Sequence, residues 1–116
     1  MDLLFVHLFH ILFVGSLFLY VGIQKRNIYS WLYPVLLSLG ALIIPYHMYK
    51  AFGYWKKGIN PWFNLIHVFL IGPLLVWIGY ENKKAPLYTY DLLLMLGFAS
   101  IGYHSYYLVK ELQQSK

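Results

Sequence analysis

The chain has 116 residues, 60% of them hydrophobic and 11% charged, with a formal net charge of +5 and no cysteine. A mean hydropathy of +0.58 excludes a soluble domain of this size, and the lack of cysteine excludes disulfides, thiolate metal sites and haem attached through Cys-x-x-Cys-His. The positive charges sit at the ends of apolar runs, where Lys and Arg anchor against lipid headgroups, so nucleic acid is not an expected partner.

Four apolar runs follow one another, each near the roughly 20 residues that cross a hydrocarbon core. The first covers 3–23. It is too long for the apolar core of a signal peptide and is preceded by Asp2 rather than by basic residues, so it reads as a retained span. At steps of three and four it carries His7, His10, Val14, Leu17, Val21 and Gln24, a stripe holding most of its polar groups. Polar groups in a span turn toward protein or water, which places this stripe inward. A second face repeats Leu8, Gly15 and Gly22, small residues suited to close helix contact within one hairpin or, alternatively, between copies of the chain.

The polar connector QKRNIYS leads to the second run, 31–52, whose inward seam is Tyr33, Leu37, Gly40, Ile44 and His47. Pro34 sits near its start; Pro45 lies inside it and predicts a bend. GYWKKGIN follows, with Asn60 expected to cap the helix that opens at Pro61. The third run, 61–80, repeats the first stripe as Asn64, His67, Ile71, Leu74, Ile78 and Glu81, with Pro73 in its interior and a small face at Leu65, Gly72 and Gly79. After ENKKA the fourth run covers 86–109, and ELQQSK is expected to fray.

The resemblance between runs is literal. An offset of 57 aligns residues 8–49 with 65–106 and gives 14 identities in 42 pairs, among them His10/His67, Gly15/Gly72, Gly22/Gly79, Gly40/Gly97, Tyr46/Tyr103, His47/His104 and Tyr49/Tyr106. The expected fold is therefore an all-α membrane protein: four transmembrane helices in an antiparallel bundle, made by tandem duplication of a two-helix hairpin. Residues 1–58 form one repeat and 59–116 the other, related by a pseudo-two-fold axis along the membrane normal. Lys50, Lys56, Lys57, Lys110 and Lys116 fall on the face of the N-terminus, against Lys25, Arg26, Lys83 and Lys84 opposite. Five against four puts both termini in the cytoplasm.

His10, His47, His67 and His104 come to one depth, about 8 to 11 Å below one membrane face at a rise of about 1.5 Å per residue. Imidazole binds haem iron, zinc and copper, so this layer is the expected cofactor or metal site, for haem b or a transition metal, in an electron-transfer or metal-handling protein. His7 and its repeat mate Asn64 support it. Gly40 and Gly97, two turns from the His, would leave room for a flat macrocycle, and Tyr46, Tyr49, Tyr103 and Tyr106 either line the mouth of the layer or complete the aromatic belts. Tyr29, Trp31, Tyr33, Tyr54, Trp55, Trp62, Tyr80, Tyr88 and Tyr90 are expected in those belts.

Two other readings compete. The His and Tyr side chains could only tie helices together in a structural or assembly protein with no cofactor, or they could pass protons or cations. The seam below the layer is aliphatic and lacks a carboxylate, and Asp91 has no repeat mate, which weakens the channel. Catalytic signatures are missing: no Gly-x-Ser-x-Gly, phosphate loop, His-Glu-x-x-His or paired carboxylates within a span. An enzyme is not expected unless a cofactor supplies the chemistry. The expected partners are the lipid bilayer and further copies of the chain or a larger membrane complex.

Overall fold

The computed structural model describes residues 3–114, and among them it is all-helical, without a strand. Four long helices carry the chain: α1, Leu3–Asn27; α2, Leu32–Lys56; α3, Trp62–Lys84; α4, Leu87–Gln114. Each is long and apolar enough to cross a membrane. At about 1.5 Å per residue they measure roughly 35–42 Å, against a hydrocarbon thickness near 30 Å. All four expected runs are helices, and each continues past its expected end. In α1 and α3 the α-helical part closes at Gln24 and Glu81 and one 3-10 turn follows. In α2 and α4 the residues added, Lys, Gln and Glu among them, are good helix formers, so polarity ends the apolar run and leaves the helix intact. In α4 this overturns the expected fraying of 111–114, which are helical; Ser115 and Lys116 lie outside the described residues.

The helix ends are made by backbone chemistry more than by side-chain caps. After α2, Gly58 takes φ +76. Its N–H bonds Trp55 O at 3.0 Å while the N–H of Ile59 reaches Tyr54 O at 2.9 Å, the paired bonds of a Schellman motif. Asn60 does not cap α3: Pro61 occupies the cap position with no side-chain bond, and its carbonyl receives the N–H of Leu65 at 3.0 Å. Before α4, Pro86 O accepts both the amide of Thr89 at 3.0 Å and its hydroxyl at 2.6 Å.

Packing divides the described chain into two units, each a helix pair. One joins α1, through Ile28, with α4 from Tyr90 onward; the other is Tyr29–Thr89, with α2 and α3. In the first unit Gly15 sits against Ile101 and Gly22 against Leu94, so partner numbers fall as α1 rises and the two helices run in opposite directions. In the second unit Gly72 sits against Ile44 and Gly79 against Leu37, with the same opposed sense. The glycines of α1 and α3 therefore do not serve contact inside one sequence half. A Cβ at Gly22 would lie 2.5 Å from Leu94 Cβ, and one at Gly79 would lie 2.5 Å from Leu37 N, so each hydrogen is there because a neighbouring backbone is.

The offset of 57 carries each of these contacts onto one in the other unit, Gly15–Ile101 onto Gly72–Ile44 and Gly22–Leu94 onto Gly79–Leu37. Local irregularities correspond as well. A π-helical turn runs His10–Val14 in α1 and His67–Ile71 in α3, closed by Gly15 N–H to His10 O and Gly72 N–H to His67 O. Pro73, which cannot donate, is not its cause, because α1 makes the same turn with Ser16 in that place. Lys25 and Asn82, again mates, take φ 54 and φ 57. Asparagine tolerates that region; a lysine does so less readily. Lys25 bonds Gly22 O at 3.1 Å with its ammonium, which also pairs with Asp91. That pair gives Asp91 a partner inside its own unit, which sequence reasoning missed.

Tyr33 and Tyr90 are buried rather than set in the aromatic belts. Much else that is large and apolar faces outward: Leu12, Leu42, Phe69, Met95 and Phe98 are each at least 60% exposed. Water tolerates such a surface poorly, and hydrocarbon tolerates it well.

Candidate functional site

Each unit holds one pair of stacked histidines. In the first, the rings of His10 on α1 and His104 on α4 lie 4.3 Å apart, inclined by 19°. In the second, His67 on α3 and His47 on α2 lie 4.1 Å apart, also inclined by 19°. The seam spacing places these side chains on the contact face of their helices, and the π-turn begins at the first histidine of each pair. His67 and His104 are buried; His10 and His47 are half-buried.

The partners of the ring nitrogens fix where the protons sit. His10 Nδ1 is 2.7 Å from Val6 O and His67 Nδ1 is 2.8 Å from Phe63 O, one turn earlier in each helix. A carbonyl oxygen only accepts, so both rings donate from Nδ1 and, when neutral, keep the lone pair on Nε2. His47 reaches the same state through a different acceptor: its Nδ1 donates to Asn64 Oδ1 at 2.8 Å. For His104 the partner is His7 Nδ1, at 2.9 Å. His7 is buried and stands where the repeat puts Asn64, also buried. Its other nitrogen, Nε2, lies 3.7 Å from Glu111 Oε2.

All four expected histidines thus make ring pairs, two to a unit, with His7 and Asn64 directly behind them. The space expected at Gly40 and Gly97 is filled. A Cβ at Gly40 would meet Gly72 O at 2.7 Å and Val76 Cγ2 at 2.8 Å, and one at Gly97 would meet Phe18 Cβ at 3.0 Å. These positions admit a neighbouring helix and leave no slot for a macrocycle. Tyr46, Tyr49 and Tyr106 are at least half exposed, as belt residues are. Tyr46 and Tyr103 touch the adjacent His47 and His104 edge-on, with centroids 5.1 Å apart in both cases. Glu111 is the participant that sequence reasoning passed over. The seam of α4, continued by its own steps from His104 through Leu108, arrives at Glu111, and only the polar composition around it argued for a frayed tail.

Chemically, a stacked pair at this separation is already in van der Waals contact, so no flat ligand fits between its two rings. Each ring can still act singly through Nε2. Among the described residues, no group of three or more His, Cys, Asp or Glu is placed to hold a metal ion. Comparisons with known protein families, curated proteins and solved structures returned no match.

Proposed function

We propose that the chain is a multi-pass integral membrane protein that carries haem through its paired histidines and serves electron transfer. A transition metal is the alternative ligand in the same reading. One observation carries the proposal: His10, His47 and His67 each give their Nδ1 proton to a protein acceptor. That is how proteins orient an imidazole and raise its basicity when Nε2 is to bind a metal. π-Helical turns, such as those beginning at His10 and His67, are frequent at functional sites.

Haem is favoured over a protein-only metal centre because of what each requires. Zinc takes three or four protein ligands. Haem iron has four nitrogens from its own macrocycle and takes one or two from the protein. Within each unit one ring would hold the iron, His10 in the first and His67 in the second, since a backbone carbonyl fixes each of them. Descent from a duplicated two-helix hairpin belongs to the same reading, supported by the 57-residue correspondence of contacts and turns.

A second reading has its own support. The bonds His7–His104 and His47–Asn64 each join the two helices of a unit, and polar bonds between membrane helices stabilise them by about 0.6 kcal/mol each. The rings would then be fasteners with no ligand. An absorption spectrum of detergent-purified protein, before and after reduction, separates the two. A Soret band that is lost in His10→Ala and His67→Ala supports haem. Stoichiometric metal in a colourless sample supports a metal ligand. A colourless, metal-free protein that takes up no added haem ends the cofactor reading.

A further inference from the structure

We infer that Glu111 is a positioning residue for His104, acting through His7: its carboxylate fixes His7 with the proton on Nε2, and His7 in turn fixes His104 with the proton on Nδ1. The bond between His7 Nδ1 and His104 Nδ1, 2.9 Å long, is satisfied by either of two proton arrangements. If His7 donates, His104 holds its proton on Nε2 and has no lone pair there. If His104 donates, its Nε2 keeps the lone pair, as in His10, His47 and His67. Nothing within the pair decides between them.

Glu111 decides. Its Oε2 stands 3.7 Å from His7 Nε2, too long for a hydrogen bond and close enough for charge to matter. A carboxylate only accepts, so it attracts an N–H at that nitrogen and repels a lone pair. With the proton of neutral His7 drawn to Nε2, His7 Nδ1 is left as acceptor, and His104 must donate from Nδ1. Within this unit His7 also meets the ring of Tyr107, and His104 meets Tyr103 and His10.

The second unit supports the assignment independently. Asn64, the repeat mate of His7, offers Oδ1 to His47 Nδ1 and can only accept there. It needs no carboxylate behind it, and Tyr54 stands where the offset would place the mate of Glu111. The two units therefore bring His47 and His104 to one tautomer by different means, an amide oxygen in one and an imidazole backed by a carboxylate in the other. The inference rests on the cofactor reading for its purpose, because it leaves all four rings with a lone pair on Nε2.

The test uses the full chain with 15N-labelled histidine, free of cofactor, in detergent. Long-range 1H–15N correlations report which ring nitrogen carries the proton, and His104 is identified from its missing signals in His104→Gln. In the wild type, His104 should be protonated on Nδ1. Glu111→Leu should leave its two tautomers comparably populated, and so should Glu111→Gln, which keeps the shape of the side chain and removes its charge. His7→Asn should keep His104 on Nδ1 and make Glu111→Leu silent. His47 should be unchanged throughout and reports that the chain is folded. A wild-type His104 protonated on Nε2, as a doubly protonated His7 would impose, overturns the inference, and so does a Glu111→Leu spectrum identical to wild type. If Glu111→Leu disturbs His47 as well, the double variant His7→Asn/Glu111→Leu decides: recovery of both rings supports the inference and continued loss overturns it. A protein that binds no haem would sink the cofactor reading and leave these spectra unaltered, so the two fail separately.

Discussion

A buried imidazole between membrane helices needs a partner for each nitrogen that has left water, and the identity of that partner fixes its proton. Asn64 is the clearest case. It is buried, and its Oδ1 is the acceptor for His47 Nδ1. Replacing it with Leu takes this acceptor away from the half-buried Nδ1 donor of His47, which costs on the order of 1 kcal/mol. Asn64→Leu should therefore lower the midpoint of urea or SDS unfolding of the detergent-solubilised protein. Asn64→His should lower it less, since His7 already shows that an imidazole in the mate's position can bond the facing histidine. A Leu variant as stable as wild type would remove that bond from the account. Exposed Lys83, on the same helix, provides a surface control.

At the scale of the helix pair, contact is governed by which glycine hydrogens meet a neighbouring backbone. Gly22 and Gly79 have no space for a methyl group, whereas nothing lies within 4 Å of the position a Cβ would take on Gly102. Gly22→Ala and Gly79→Ala should each destabilise by about 1–3 kcal/mol through overpacking. Gly102→Ala should stabilise by up to about 1 kcal/mol, the usual gain on removing a helix-interior glycine. Unfolding of the three variants under one detergent condition checks both signs. Lys25→Ala should change little, because its pairing with Asp91 is largely solvated and such pairs contribute roughly 0–1 kcal/mol.

The same elements show what the letters could and could not convey. The seams were legible because inward positions recur at steps of three and four, and the histidines, His7 and Asn64 came with them. The choice of partner was not legible. Two repeats with the same seam satisfy the pattern whether α1 packs on α2 or on α4, and only the contacts of Gly15, Gly22, Gly72 and Gly79 settle it. Gly40 and Gly97 misled because a missing Cβ admits a cofactor or a helix equally well. Glu111 was lost because polar residues end an apolar run without ending a helix. Asn60 carried a capping residue's composition, and Pro61 took the cap.

For the whole molecule, the proposed four crossings predict a definite sidedness. Each helix has 23 to 28 residues, more than the roughly 20 that cross the hydrocarbon once and far fewer than two crossings need. A chain that crosses once per helix must return its turns to alternate faces. On the four-span proposal the turn at Gly58 and the end of α4 near Gln113 are predicted on the face where α1 begins, and the turns near Arg26 and Lys83 on the opposite face. The sequence contains no cysteine, so single cysteines introduced at Gly58, Gln113, Arg26 and Lys83 can be read without background. A membrane-impermeant maleimide added to sealed, right-side-out vesicles should label the first two together or the last two together, and never one of each. The lysine count predicts cytoplasmic termini, and on that expectation Arg26→Cys and Lys83→Cys are the pair that reacts from outside. The other two should react only after detergent opens the vesicles. Labelling of Gly58→Cys and Arg26→Cys from one side would mean that α2 does not cross, and the four-span reading would fall with it.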